Sequence, residues 1–307
     1  MKQHIIGWVS LIIGIFVLAA CTQNEEENNL IYTYNFSETG QKINIVHAHT
    51  LYEQYIEKAK DDESGRLALY KETVIEPVYE ACFEDAEFIH MAKPILNTAP
   101  KHFMELEKMT SEMAERQDEL NAFIQEALKK SMALLPSESD ISVCLFPSSD
   151  MSLSMFAAGA GKIIIPYNRH YTDEYIKVGV AHEYHHSTWA EQHLSDWMTV
   201  LDNLIFEGKA VMFEKLVYPA HEIREIYEDY NQELWEQIEP DLNKVSLERS
   251  MEILYGGGEF PYLYGYSEGY KMIRAFLEAN PSLTPAEWTA VSSEEVIEKG
   301  KYFEYYK

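Results

Sequence analysis

The chain of 307 residues has little cysteine and little positive charge for its length. It has three cysteines and no C-x-x-C pair, which argues against a metal site built from thiolates. Only 25 basic residues stand against 51 acidic ones, so the formal net charge is −26. This excess argues against nucleic acid as a partner and against electrostatic docking on anionic lipid, because both are polyanions. The 46% of apolar residues still suffices for a sizeable core.

The first residues have the pattern of a targeting segment. Lys2 gives a positive start, an uncharged apolar run follows from residue 5 to residue 20, and small residues precede Cys21. The pattern resembles a bacterial lipoprotein signal, so residues 1–20 are predicted to be a signal peptide and Cys21 to be lipidated. The alternative is an uncleaved membrane anchor, although the run is shorter than the roughly 20 residues of a spanning helix. Both interpretations predict an extracytoplasmic protein bound to the cell membrane.

The remaining chain divides into three parts by composition. Residues 21–36 are predicted to be an acidic tether, because their first half is polar and has little to bury. Residues 37–135 have a helical pattern, whereas residues 136–307 combine short β-rich runs with helices and are predicted to form one domain with them. This order predicts an α+β fold that is predominantly helical, with a small sheet. Cys82 and Cys144 either pair or are two small buried residues.

The run His182-Glu183-Tyr184-His185-His186 reads H-E-x-x-H. It lies on a predicted helix that begins after an N-cap at Thr172 and ends near Ala190. Positions i and i+4 share a helix face, so His182 and His186 can direct two imidazoles at one metal ion. Glu183 would stand beside the metal, where a carboxylate can take a proton from the attacking water.

A third ligand is offered by Glu207, on a second helix predicted from residue 195 to residue 217. Two histidines and one glutamate leave the fourth tetrahedral position of Zn²⁺ open, which is typical of catalytic zinc. His185 does not fit the i, i+4 spacing and is interpreted as a neighbour of the site or a surface residue. A third helix is predicted over residues 220–242. The alternative third ligands are His193, Asp196 and Asp202.

These motifs are similar to those of gluzincin metallopeptidases. Residues 180–186 and 207–210, together with the downstream 264–266 (Tyr-Gly-Tyr) and 269–270 (Gly-Tyr), resemble the YjaZ-like family of predicted zinc-dependent proteases. The resemblance covers roughly residues 136–277. It implies a zincin-like fold, with the small sheet beside the H-E-x-x-H helix, and a His-His-Glu zinc site.

One position departs from the thermolysin kind of gluzincin. Those enzymes carry an aspartate four residues after the third ligand, where it orients a zinc-bound imidazole, and this chain has Val211 there. Another group must then orient the imidazole. Asn203, one turn before Glu207, is the residue predicted to do so.

The predicted function is that of a membrane-anchored, extracytoplasmic zinc metallopeptidase acting on a peptide or protein. Glu183 would act as the general base and then pass the proton to the leaving amine. A tyrosine hydroxyl would stabilise the oxyanion, with Tyr266 preferred over Tyr264 and Tyr270. Residues 159–165 either hold an extended substrate by strand addition or form an ordinary core strand. The alternative function is a non-catalytic zinc- or peptide-binding lipoprotein on a retired peptidase scaffold.

Overall fold

The computed structural model describes residues 30–36, 40–193 and 197–306. The predicted signal peptide, the lipidation site Cys21 and the first part of the predicted tether lie outside the described residues. Within the described ranges, no helix is long and apolar enough to cross a membrane.

A mixed sheet of five strands lies between two layers of helices. Its order is β1-β2-β3-β5-β4, in which β2, β3 and β5 are parallel and the two outer strands are antiparallel to their neighbours. The turn between β4 and β5 contains Gly161, whose φ of +67° lies in the left-handed region that favours glycine. The strands are β1 Ile31–Asn35, β2 Lys42–His47, β3 Ile141–Pro147, β4 Phe156–Gly159 and β5 Lys162–Tyr167.

Strands β1 and β2 correct two predictions. Residues 31–35 belong to the sheet rather than to a tether, and β2 begins the region that was predicted to be helical. Ile43 of β2 pairs in parallel with Ile141 of β3, almost a hundred residues later. Such pairing depends on a distant partner, so the local pattern does not reveal it. The overall prediction of a predominantly helical α+β fold with a small sheet is confirmed.

Helices cover both faces of the sheet. In the first half of the chain, residues 71–78 stay helical but are irregular around Pro77. The helices of this half are α1 Tyr52–Ala59, α2 Arg66–Tyr70, α3 Tyr79–Cys82, α4 Lys93–Asn97, α5 Phe103–Glu115 and α6 Gln117–Leu134. Those of the second half are α7 Asp173–Ala190, α8 Val200–Val217, α9 Gln232–Ile238, α10 Leu247–Tyr255, α11 Tyr264–Ala279, α12 Pro285–Thr289 and α13 Ser293–Gly300.

The alternation of side chains along the strands divides the interior into two cores. Val143 and Leu145 of β3 point into the core under α6, α7, α8 and α11. Cys144 and Phe146 point into the second core, under the N-terminal helices. There Cys144 forms a disulfide with Cys82 at the end of α3, which answers the question that the sequence left open.

Capping residues fix where the two long helices of the second half begin. Thr172 accepts a hydrogen bond from the Tyr175 amide at the start of α7, as predicted. A capping box formed by Thr199 with the third residue of the helix starts α8. Gly208 of α8 packs directly against the backbone of Gly269 in α11, where a Cβ atom would overlap it. The close approach of α8 and α11 therefore explains why a glycine stands in the middle of α8.

Candidate active site

Three side chains from α7 and α8 converge on one point. The Nε2 atoms of His182 and His186 lie 3.1 Å apart, and each is 3.2 Å from Oε2 of Glu207. The two imidazoles and the carboxylate therefore form a nearly equilateral triangle of ligand atoms. Among the described residues, this is the group whose arrangement could hold a metal ion.

The size of the triangle fits zinc. Ligands at 2.0–2.1 Å from a tetrahedral Zn²⁺ lie roughly 3.3–3.4 Å from one another. The edges of 3.1–3.2 Å between His182, His186 and Glu207 need little adjustment to reach that value. Because three ligands fill three corners of a tetrahedron, one corner is left for water or substrate.

The hydrogen bonds around His182 also point to a cation. Nδ1 lies 2.8 Å from Oε2 of Glu214, and this nitrogen must carry the proton because a carboxylate only accepts. Nε2, on the other side of the ring, faces Oε2 of Glu207 at 3.2 Å. A metal ion placed between this nitrogen and the carboxylate would be bound by both.

Glu214 is the group that orients the imidazole. Its Oε2 also accepts a hydrogen bond of 2.9 Å from Nη2 of Arg224, so a partly buried cation holds the carboxylate in place. The prediction that Asn203 does this was wrong. The Asn203 amide donates instead to the carbonyl of Thr199 and to the hydroxyl of Ser250.

Glu183 lies beside the three ligand atoms rather than among them. Its Oε2 accepts a hydrogen bond of 2.8 Å from the amide of Ala157, at the outer edge of β4. Burial raises the pKa of Glu183 to about 7, although the neighbouring His182 acts in the opposite direction. Burial would also raise the pKa of Glu207, but the two imidazoles outweigh it and hold that pKa well below its usual range. One carboxyl is therefore suited to exchanging protons and the other to staying charged.

A cleft of about 270 Å³ opens beside His182 and Glu183. Tyr266 lines it, with its ring centroid 6.2 Å from that of His182 and its hydroxyl 3.2 Å from the hydroxyl of Tyr255. The described lining also includes Met155, Tyr175, Ile223, Arg224 and Tyr262. The preferred tyrosine therefore stands in the cleft that leads to the three ligand atoms.

The two tyrosines that were ranked behind Tyr266 lie elsewhere. Tyr264 and Tyr270 are not among the described residues that line this cleft. The ring of Tyr264 packs against Phe260, with their centroids 5.7 Å apart. The guanidinium of Arg274 lies over the ring of Tyr270, with its Cζ 5.6 Å from the ring centroid. Packing is thus the role that the structure gives to both.

The two alternative ligands that the structure describes, Asp202 and His193, do not join the site. Asp202 caps the start of α8, where its Oδ2 accepts a hydrogen bond from the amide of Thr199. The ring of His193 lies against Trp189, with their centroids 6.0 Å apart. Asp196 lies outside the described residues.

His185 is a buried neighbour of the site. Its Nε2 is 3.2 Å from the hydroxyl of Thr289, and its ring stacks on Trp288. Burial holds the pKa of His185 well below its usual range, so the ring is neutral. Of the two interpretations of this residue, the structure therefore supports the neighbour and not the surface residue.

Strand β4, and not the run 159–165 as a whole, faces the carboxyl of Glu183. Residues 162–167 form β5, which lies between β3 and β4 and is an interior strand. The part of the predicted substrate strand that belongs to β5 is therefore core. The sheet edge beside Glu183 is formed by Phe156–Gly159.

Three residues of the site were missed in the sequence. Glu214 follows Glu207 by seven residues, and two helical turns return to the same face, so its position could have been read from the spacing. Arg224 lies in the predicted helix 220–242, but residues 219–230 are irregular and bring it into the cleft. Tyr255, at the end of α10, was marked by no motif.

A known family matches more than half of the chain. The family described as "Predicted Zn-dependent protease (DUF2268)" matches residues 120–298. No curated protein and no solved structure is significantly similar to the chain. The matched range contains the three converging ligands, Glu183, Glu214 and the cleft tyrosines. It begins within α6 and leaves out β1, β2 and the helices before α6.

Proposed function

Because the chain belongs to the DUF2268 family of predicted Zn-dependent proteases, we propose that it is a metallopeptidase that hydrolyses peptide bonds with water. The observation that carries the proposal is the triangle of His182, His186 and Glu207, with Glu183 outside it and the cleft beside it. A site built only to hold zinc needs no additional buried carboxyl next to an open cleft.

Zinc, when bound, would act as a Lewis acid that polarises the scissile carbonyl and makes water more acidic. Glu183 accepts the proton of the attacking water as the general base and then passes it to the leaving amine as the general acid. The hydroxyls of Tyr255 and Tyr266 stand in the same cleft and can donate a hydrogen bond to the oxyanion. Glu214 and Arg224 keep the imidazole of the first histidine in its orientation.

The proposed location is the outer face of the cell membrane, with a lipid on Cys21. The signal pattern of residues 1–21 supports it. The disulfide between Cys82 and Cys144 supports it as well, because such bonds persist mainly in oxidising compartments. Cys21→Ser should abolish incorporation of labelled fatty acid into the protein. Undiminished labelling of that variant would refute the anchor.

Glu183→Gln tests the proposed reaction. We expect the purified wild-type protein to contain zinc and to release new amino groups from unfolded casein, measured with an amine-reactive dye. Glu183→Gln should lower the rate about 10²–10⁴-fold, because a general base contributes that much, while the zinc content stays unchanged.

The matched control is Glu174→Gln, an exposed glutamate in the first turn of the same helix, which should keep full activity. Full activity in Glu183→Gln would contradict the mechanism. Bound zinc without cleavage in the wild-type protein would favour the alternative, a zinc- or peptide-binding lipoprotein.

A further inference from the structure

Arg224 brings a positive charge into the cleft beside Glu183. It lies in the irregular stretch after α8 and lines the cleft, with 13% of its side chain exposed. Among the described residues of that lining, it is the one lysine or arginine. Its Cζ stands 5.2 Å from the ring centroid of Tyr266, over the face of the ring. The cation is therefore part of the wall of the cleft and not only a support behind it.

Holding Glu214 occupies a small part of the Arg224 guanidinium. Nη2 donates to Oε2 of Glu214 at 2.9 Å, and this is the one hydrogen bond of the guanidinium within the described residues. Nε is buried and has no hydrogen-bond partner there. A guanidinium carries five N–H groups in a planar fork, and buried donors without a partner are rare in folded proteins. Arg224 thus has more donors at the cleft than the support of Glu214 requires.

The same guanidinium stands close to the groups proposed to carry out the reaction. Glu214 connects it to Nδ1 of His182 through two hydrogen bonds in series, of 2.9 Å and 2.8 Å. Its charge also acts on the carboxyls of Glu183 and Glu207. An extended peptide advances roughly 3.3 Å per residue, so a group one or two residues from a scissile bond beside Glu183 comes within reach of Arg224.

A guanidinium with unused donors selects a carboxylate. Its planar fork matches the two carboxylate oxygens, and such charge-assisted hydrogen bonds are about twice as strong as those to a neutral peptide group. The net charge of −26 gives an anionic substrate no long-range attraction, so its selection must come from a local contact. Glu225 also lines the cleft, but it is exposed, and solvent and salt weaken its repulsion.

Taking the proposed peptidase function as its basis, we infer that Arg224 is a specificity-determining residue that binds a substrate carboxylate one or two residues from the scissile bond. The carboxylate is either the C-terminus of the peptide or the side chain of an aspartate or glutamate, since both present the same group. It takes no part in the reaction and places the peptide beside Glu183. Hydrolysis adds water across the scissile bond, so one fragment gains a carboxylate and the other an amino group.

The test uses three N-acetylated decapeptides of one otherwise uncharged sequence. The reference has a central glutamine and an amidated C-terminus, so it carries no carboxylate. The second peptide has a free C-terminus, and the third is amidated but has glutamate in place of the glutamine. With the zinc-loaded full chain, products are followed by mass spectrometry. We expect kcat/KM for a peptide with a carboxylate to exceed that of the reference about 10–100-fold, with cleavage one or two residues from the carboxylate.

The pattern of rates identifies the source of the carboxylate. Faster cleavage of the second peptide alone assigns the C-terminus, and faster cleavage of the third alone assigns an acidic side chain. Casein serves as the positive control. If casein is cleaved while the three peptides are cleaved equally or not at all, the inference is overturned and the peptidase function stands. Absence of cleavage of casein and of all three peptides would overturn both.

Two variants separate the binding of a carboxylate from the support of Glu214. In each, the measured quantity is the preference, defined as kcat/KM for the faster peptide divided by kcat/KM for the reference, at saturating zinc. Arg224→Gln should lower the preference to about one, because an amide lacks the charge. Glu214→Gln keeps the guanidinium, so it should retain the preference although it binds zinc more weakly.

A conservative variant and a matched control complete the test. Arg224→Lys should retain part of the preference, because an ammonium group keeps the charge but not the planar fork. Arg169→Gln, which changes an exposed arginine outside the described lining of the cleft, should keep the wild-type preference.

The preference is a ratio of two rates of one protein, so the zinc content and the folded fraction cancel. Full preference in Arg224→Gln would overturn the assignment. Equal loss in Glu214→Gln would overturn it as well, because Arg224 would then act only through Glu214.

Discussion

Among the described residues, each half of the chain contains a close pair of buried histidines, His182 with His186 and His47 with His49. His182 and His186 have ring centroids 4.7 Å apart, and His47 and His49 have centroids 5.4 Å apart, with both pairs edge to face. The first pair has the carboxylate of Glu207 within hydrogen-bonding distance of both rings. The pairs are thus alike in burial and ring geometry but differ in the charge that surrounds them.

The second pair has no such carboxylate among the described residues. Nε2 of His47 lies 2.9 Å from the amide oxygen of Asn121, and neither ring nitrogen of His49 has a hydrogen-bond partner in the described part of the chain. Burial lowers the pKa of both rings, that of His49 to about 3. Two close imidazoles alone do not provide the three converging ligand atoms found at His182, His186 and Glu207. A converging carboxylate and a partner that fixes the ring are needed as well.

The largest effect should come from removing one ring of each pair. His186→Ala removes one of three ligands, so zinc content and peptidase activity should fall to background. His49→Ala should leave both unchanged in the folded protein. Metal analysis and casein cleavage check this, and loss of zinc from His49→Ala would break the distinction between the two pairs.

The disulfide should matter for the stability of the N-terminal layer and not for the metal. It joins residues 62 positions apart, and a loop of that length contributes about 4 kcal/mol in the chain-entropy model. The double variant Cys82→Ser/Cys144→Ser should therefore lose about that much free energy of unfolding, measured with urea, while the zinc affinity of the folded protein stays the same. An unchanged midpoint of unfolding would contradict the expectation.

Glu214→Gln should weaken zinc binding without abolishing it. The amide can still accept the Nδ1–H of His182 but lacks the charge, and the loss of such a partner costs about 10–100-fold in metal affinity. Competition with a zinc-binding dye measures the affinity, and Glu222→Gln, an exposed glutamate after the end of α8, is the control. Equal affinities in the two variants would show that Glu214 does not support the site.

The smallest effect should be a pH dependence of stability that comes from His49. Its pKa is about 3 in the folded protein and near 6.5 when unfolded, so below pH 6.5 the unfolded chain binds a proton that the folded one does not. Stability should fall as the pH falls, by about 2 kcal/mol at pH 5. The free energy of unfolding can be measured with urea after a chelator has removed zinc. Between pH 7 and pH 5, His49→Gln should lose about 2 kcal/mol less of it than the wild type. The control His221→Gln, which changes an exposed histidine, should follow the wild type. Parallel curves for His49→Gln and the wild type would count against a neutral buried ring.

The features of the site that could be predicted from the sequence are those that depend on local spacing along the chain. The cap at Thr172, the i, i+4 histidines and the carboxylate on the next helix are all set within one or two helices, so spacing reveals them. Arg224 could not be predicted, because its position depends on an irregular loop held by distant contacts. In that loop the amide of Tyr227 donates to the hydroxyl of Ser267, forty residues away. The strands β1 and β2 were missed for the same reason, since only their distant partners define them.

Anomalous diffraction at the zinc absorption edge, from crystals of the protein with zinc, tests the central claim most directly. The account predicts one strong peak bonded to Nε2 of His182, Nε2 of His186 and Oε2 of Glu207 at about 2.0–2.1 Å. No peak among these three atoms, or a peak beside His47 and His49 in its place, would contradict it.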